Sequence, residues 1–324
     1  MSGHHQAIKV AILDDYQNVA RSFADWNKLA PRGEAVFFHD HVEDRALLAS
    51  RLAPFDAVVL TRERTVFDAD MISRLPNLKL IASVGMWNAA IDLKAAADRA
   101  VVVSGTENHY PNGTPALTWA LILSAMRGIY REAASLRAGG WQTGIGMDTA
   151  GKTLGVLGLG KISRVVGQVG NAFGMRVIAW SQNLTEEAAR SNGATWVSKE
   201  DLFRQSDIIT VHLKLSERTR KIVDEAELGL MKPTAFLVNT SRGPLISEEA
   251  LLAALTSRRI AGAALDVFDT EPLPADHPYR FLPNVLATPH IGYVTENTYA
   301  DAFPQIVENI TAWLDGKPIR LMLA

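Results

Sequence analysis

The stretch "GVLGLGKISRVVGQVG", residues 155–170, joins an apolar run to a segment of helical spacing through two glycines two residues apart, Gly158 and Gly160. A strand, then GxGxx, then a helix lets the second glycine's backbone approach a pyrophosphate. The start of the helix supplies unpaired N–H groups and the positive end of its dipole. The stretch therefore reads as a dinucleotide-binding turn, with two departures. Ser163 stands where a third glycine is expected; it is small enough to keep the helix near the strand, and Gly167, one turn on, would relieve the same contact. Further on, "RVIAWSQN" puts Ser181 where an acid ordinarily holds the ribose hydroxyls.

Downstream of the turn the chain alternates β-branched runs with helical segments. The runs are "RVIAW" (176–180), "ATWV" (194–197), "DIITVHL" (207–213), "TAFLVNT" (234–240), "AGAALDV" (261–267) and "NVLATP" (284–289). Upstream the same alternation appears, with strands "IKVAIL" (8–13), "AVFF" (35–38), "AVVL" (57–60), "LKLIAS" (78–83) and "VVV" (101–103). Helix-like segments lie near 17–30, 43–52, 68–75 and 92–98. Such alternation predicts parallel sheets with helices on both faces. Between the two sets, "NGTPALTWALILSAMRGIYREAASLRAGGW" (112–141) predicts one helix, capped at Thr114 with Pro115 in its first turn and ending near Gly139-Gly140. Its middle is apolar nearly all round, as in a helix buried between domains or subunits. "TENTYADAFPQIVENITAWLDG" (295–316) predicts a helix interrupted at Pro304.

A chain of 324 residues with 48% hydrophobic residues accommodates two domains with substantial cores. The net charge of −2 argues against a general nucleic-acid binder. With no cysteine, disulfides, thiolate zinc sites and thiol nucleophiles are excluded, and a reducing cytoplasm fits. "MSGHHQAIKVAIL" has no long apolar stretch, so no signal peptide is expected, and no apolar run approaches a membrane span. His4 and His5 are too few to complete a ligand set, and no metal is expected.

Three further stretches fall at ends of predicted strands, where open α/β sheets place ligands: "NTSRG" (239–243), "DVFDTEP" (266–272) and "TPHIGY" (288–293). Arg242 offers a planar fork that matches a carboxylate. His290 can exchange a proton near neutral pH, and Glu271 can accept from its second ring nitrogen. Each residue alone has an ordinary structural explanation. Together, after a dinucleotide turn, they suit hydride transfer to a carbonyl acid.

Through "GKTLGVLGLGKI", "VNTSRG", "ALDVFDTEP" and "TPHIGY" the chain resembles, nearly end to end, the D-isomer-specific 2-hydroxyacid dehydrogenases. These include D-3-phosphoglycerate dehydrogenases and glyoxylate/hydroxypyruvate reductases. The resemblance implies two doubly wound α/β domains of parallel sheet. A Rossmann-type NAD(P)-binding domain, 108–292, would be inserted in a flavodoxin-like substrate domain made of 1–107 and 293–324. It implies an oxidoreductase that moves a hydride between NAD(P)H and a 2-keto acid to give a D-2-hydroxy acid. Arg242, Glu271 and His290 match the catalytic residues. Backbone N–H groups around Val84 and Gly85, in "SVGMWN", match the loop that holds the substrate carboxylate together with Arg242. The implied cofactor set is Gly158, Gly160, Lys161, Ile162, Ser181, His212, Thr240 and Asp266, the last near the nicotinamide carboxamide. A homodimer through the 112–140 region is the family expectation; no nucleic acid or membrane partner is implied.

Several positions depart from the relatives. Ala116 stands where a Glu is frequent, and Met86 and Trp87 occupy the carboxylate loop. Trp87 and Tyr293 are expected to give the pocket an aromatic wall. In "LTRERT" (60–65), Arg62 and Arg64 are either cleft residues for a phosphate or second carboxylate, or solvated surface arginines. Ser181 without a nearby Lys or Arg predicts use of both NADH and NADPH. Two other activities share the fold. Formate dehydrogenases pair the histidine with a glutamine, against which Glu271 speaks, and nucleotide-sensing scaffolds keep the triad without turnover.

Overall fold

The computed structural model describes residues 7–323, so the His4-His5 pair lies outside the described residues. The chain divides into two compact units. One runs through Tyr110 and resumes at Thr295; the other is Pro111–Val294. The breaks thus fall at 110/111 and 294/295, a few residues beyond the expected 107/108 and 292/293.

The first unit holds strands β1 (Ile8–Ile12), β2 (Gly33–Phe37), β3 (Ala57–Leu60), β4 (Leu80–Ser83) and β5 (Val102–Ser104), with helices α1 (Arg45–Leu52), α2 (Ala69–Ser73) and α3 (Leu93–Asp98). All pairings are parallel, in the order β2-β1-β3-β4-β5, which is the flavodoxin-like arrangement. β3 and β4 are buried at every residue, as expected for parallel strands covered on both faces. Leu48 and Leu52 of α1 and Met71 and Ile72 of α2 pack into that core. Asp44, Asp68 and Asp92 cap the three helices by accepting the N–H three residues on, each such cap contributing about 1 kcal/mol. The expected helix at 17–30 is absent. Asp15 accepts from the N–H groups of Val19 and Ala20, and Asn18 has φ +54°, so the segment is a bracketed turn with only a 3₁₀ turn at Trp26–Leu29.

The second unit opens with α4 (Gly113–Arg127) and α5 (Ile129–Arg137). The expected single helix is broken at Gly128, whose φ of +61° ends α4 in a left-handed turn that glycine adopts without cost. Thr114 lies inside α4, and Asn112 precedes it without a side-chain cap. There follow β6 (Thr153–Leu157), α6 (Lys161–Ala172), β7 (Arg176–Trp180), α7 (Glu186–Ser191), β8 (Thr195–Trp196), α8 (Lys199–Gln205), β9 (Ile208–Val211), α9 (Glu225–Leu230), β10 (Phe236–Asn239), α10 (Glu248–Thr256), β11 (Gly262–Leu265) and β12 (Val285–Ala287). The sheet is parallel in the order β12-β11-β10-β9-β6-β7-β8. The strand order reverses between β6 and β9, the switch point at which doubly wound sheets bind ligands.

The chain returns to the first unit in α11 (Glu296–Leu314), which buries Phe303, Ile306 and Ile310. Pro304 does not interrupt it. Proline there removes the bond to the carbonyl of Ala300, and Ala300 is exposed, so water can satisfy that group.

Candidate active site

β6 ends at Leu157 and the chain turns through Gly158, φ +101°, where a β-carbon would stand 2.9 Å from the backbone of His212. Ser163 does more than spare space. It is fully buried, its hydroxyl donates to Gly158 O at 2.6 Å, and it accepts from the Gly160 N–H at 2.7 Å. The side chain that replaces the third glycine therefore ties the turn together. The close helix-to-strand contact falls at Gly170, not at Gly167. A β-carbon at 170 would come within 2.9 Å of Leu154, whereas at 167 it would make an ordinary 3.5 Å contact.

A β-carbon on Gly160 would meet nothing within 4 Å, so the space before α6 is open. Since Ser163 takes the Gly160 N–H, the exposed donors at the helix start are those of Lys161 and Ile162. These features fit a dinucleotide pyrophosphate. Ser181, at the end of β7, accepts from the Leu159 N–H at 2.9 Å, which binds strand end to glycine turn. His212, at the end of β9, shares a 2.8 Å contact with Thr210, and burial lowers its pKa to about 4, so its ring is neutral.

The end of β10 is locked by its own side chains. Asn239 accepts from the Ser241 N–H at 3.0 Å and donates to Arg242 O at 2.9 Å, while Ser241 donates to Val211 O at 2.8 Å. Arg242 Nη1 donates to Ser241 O at 2.7 Å. A β-carbon at Gly243 would collide with the backbone of Phe268, so this turn lies directly on the loop after β11. In that loop Glu271 Oε1 accepts from the Phe268 N–H at 2.9 Å, and its other oxygen, Oε2, lies 2.6 Å from His290 Nδ1.

His290 follows β12 and has φ +50°, a conformation that a non-glycine residue keeps only when its surroundings enforce it. Asp266 provides the enforcement. Its Oδ1 accepts from Thr288 Oγ1 at 2.6 Å and the Ile291 N–H at 2.9 Å, and its Oδ2 from the Gly292 N–H at 2.8 Å. Burial raises the Asp266 carboxyl above its ordinary range, and these three donors only partly offset that. The Tyr293 ring meets the His290 ring edge-on, centroids 5.4 Å apart.

In the first unit the loop amides have acceptors of their own and the two arginines differ. Val84 N donates to Leu60 O at 2.9 Å and Gly85 N to Thr106 Oγ1 at 2.8 Å. Each amide carries one donor, so neither is left for a carboxylate. Asn88, which the sequence reading passed over, fixes the loop by donating to Arg62 O and Ser83 Oγ and accepting from the Ala90 N–H. The two arginines also differ. Arg64 is a structural tie, donating to Asp14 O at 2.6 Å and to Tyr299 Oη at 3.3 Å. Arg62 lies over the loop, where its guanidinium would collide with any β-carbon at Gly85.

Residues 119–292 match the D-isomer specific 2-hydroxyacid dehydrogenase, NAD binding domain. The chain is 39% identical over 259 residues to a glyoxylate reductase of Aeropyrum pernix, covering 77% of each. It is 37% identical over 263 residues to a D-3-phosphoglycerate dehydrogenase of Methanocaldococcus jannaschii, covering 80% of this chain and 50% of that one. Among solved structures, a phosphoglycerate oxidoreductase of Vibrio cholerae superposes with a TM-score of 0.90 at 37% identity, covering 95% and 99% of the two chains. The chain belongs to the D-isomer specific 2-hydroxyacid dehydrogenase family of nicotinamide-dependent oxidoreductases.

Proposed function

We propose that the protein reduces a 2-keto acid to the D-2-hydroxy acid with NADH or NADPH, His290 being the proton donor, Glu271 its orienting partner and Arg242 the carboxylate clamp. The observation that carries this reading is the 2.6 Å contact between His290 and Glu271, whose own loop packs against the Arg242 turn. An ionised carboxylate only accepts, so the ring proton facing Glu271 sits on Nδ1 and Nε2 is the atom that exchanges.

The nicotinamide, when bound, supplies the hydride. Lys161, Ile162, Ser181, His212, Thr240 and Asp266 are the side chains and amides that would hold the dinucleotide. Nε2 of His290 gives its proton to the keto oxygen. The Arg242 fork pairs with the carboxylate, and its charge stabilises the developing oxyanion, worth about 2.7–4 kcal/mol for one such donor. With Val84 and Gly85 committed, we assign the loop's part in carboxylate binding to the backbone from Met86 onward. We assign Trp87 and Tyr293 to the control of substrate size and Arg62 to a second anionic group.

In this reading the unit through Tyr110 and from Thr295 serves the substrate and Pro111–Val294 serves the cofactor. The exposed Ile129, Leu136, Trp141 and Ile145 form the face of a homodimer. We assign the protein to the cytoplasm, supported by its lack of cysteine. Among the described residues no helix is long and apolar enough to cross a membrane.

The deciding experiment is a spectrophotometric panel of glyoxylate, hydroxypyruvate, phosphohydroxypyruvate and bulkier keto acids, each with NADH and NADPH. Steady cofactor oxidation is expected with at least one. Tight cofactor binding without turnover on any would favour a nucleotide-sensing scaffold.

A further inference from the structure

Thr118, in the second turn of α4, is fully buried, and its hydroxyl donates to Thr114 O at 2.8 Å. That uses its single proton, so the 2.8 Å contact between Thr118 Oγ1 and Thr240 Oγ1 runs with Thr240 as donor. One turn earlier, Thr114 Oγ1 donates to Gly292 O at 3.2 Å. Thr240 stands two residues before Arg242, and Gly292 two residues after His290. Gly292 is itself clasped: a β-carbon there would lie 3.1 Å from Asp266 Oδ2 and 3.4 Å from Thr114 Oγ1. Residues four apart share one helix face, so a single face of α4 reaches both loops. The helix is fixed by burial of Trp119, Ile122, Ala125 and Met126.

We propose that α4 is a splint that sets the Arg242 loop and the His290 loop against each other, with Thr114 and Thr118 as positioning residues for the reaction. The proposal rests on the roles given above to Arg242 and His290. The carboxylate and the carbonyl of a 2-keto acid are adjacent carbons, so clamp and proton donor must keep a fixed separation, and small misplacements of such groups are costly. The loops leave different strands of the sheet, and α4 is a third element bonded to both.

The test uses the full chain. Thr118→Val keeps the shape but leaves the Thr240 hydroxyl without its partner. It should lower kcat/KM about tenfold, chiefly by raising KM for the 2-keto acid. NADH affinity, read by fluorescence titration, should fall by less than kcat/KM does, because Thr240 is only one of the groups assigned to the cofactor. Thr118→Ser restores the hydroxyl and should recover kcat/KM to within about twofold although it deletes a core methyl. Thr114→Val should lower kcat and leave KM near that of the wild type. Wild-type kinetics in Thr118→Val, or equal impairment of the Ser and Val variants, overturns the splint. Run alongside, His290→Ala separates the two levels. Its collapse beside a normal Thr118→Val removes the splint alone, and near-normal turnover of His290→Ala removes the site reading and the splint with it.

Discussion

His290 Nδ1 lies 2.6 Å from one oxygen of Glu271, while the other oxygen of that carboxylate accepts from the Phe268 N–H at 2.9 Å. The acid is held by the backbone of its own loop and in turn holds the ring. Removing the ring should therefore affect proton transfer and little else. His290→Ala is expected to lower turnover about 10²–10⁴-fold, with NADH affinity unchanged. Steady-state kinetics and a fluorescence titration check this, and near-normal turnover would take His290 out of the mechanism.

Arg242 sits on a turn bracketed by Asn239 and pressed onto the Phe268 backbone, and its Nη1 donates to Ser241 O. Arg242→Lys keeps the charge and loses the fork. KM for 2-keto acids is expected to rise and kcat to fall, because one group serves both ground-state binding and the transition state. Measured over a substrate series, an unchanged KM would speak against the clamp.

Much of this was legible in the sequence because its signals are local. "RVIAW" is a strand at the residues its apolar run marks, and Glu271 and His290 come together because each follows a strand of one parallel sheet. What was not legible depends on partners remote in sequence or on a single torsion. The Asp15 bracket replaced a helix at 17–30, and Gly128 split one at 112–140. The use of the Val84 and Gly85 amides by Leu60 and Thr106 required knowing which strands are neighbours. The Thr118–Thr240 bond spans 122 residues and has no motif to announce it.

Ser163 carries a prediction opposite to the usual view of that position. Restoring glycine, as in Ser163→Gly, would leave the Gly158 carbonyl and the Gly160 N–H only their long 3.3 Å contact with each other. Gly160 is exposed and its N–H can turn to water, but Gly158 is buried, and weakening the bonding of a buried polar group costs about 1–3 kcal/mol. Chemical denaturation should show a loss in that range, and NADH should bind more weakly as the turn loosens. A variant as stable as the wild type with unchanged NADH affinity would show the hydroxyl to be dispensable.

The neutral ring of His212 gives a pH dependence with a defined sign. Its pKa is lowered by burial from 6.5 to about 4, so between those values the unfolded chain binds the proton and the folded chain does not. Stability should therefore fall as pH falls through that window, by up to about 3 kcal/mol from this group. Denaturation of the cofactor-free protein at pH 7 and pH 4.5, compared with His212→Asn, isolates the effect. An equal loss in both proteins would mean that other groups carry the acid sensitivity.

Cofactor choice turns on Ser181. Its oxygen already accepts from the Leu159 N–H at 2.9 Å, so what it offers a bound dinucleotide is chiefly its O–H proton. A hydroxyl donor serves a ribose oxygen or a phosphate oxygen. A carboxylate at this place would accept from the ribose hydroxyls and repel a 2′-phosphate. No Lys or Arg lies between 181 and 185 to attract that phosphate either. Both NADH and NADPH are therefore expected to support turnover, with a preference below about a hundredfold, or about 2.7 kcal/mol. Ser181→Asp can still accept from Leu159, so the turn should survive, while the new charge should weaken NADPH selectively. Comparing kcat/KM and dissociation constants for the two cofactors decides it. A wild-type protein that refuses NADPH by more than that margin would mean that a group other than residue 181 guards the ribose, and Ser181→Asp would then change the NADPH dissociation constant little.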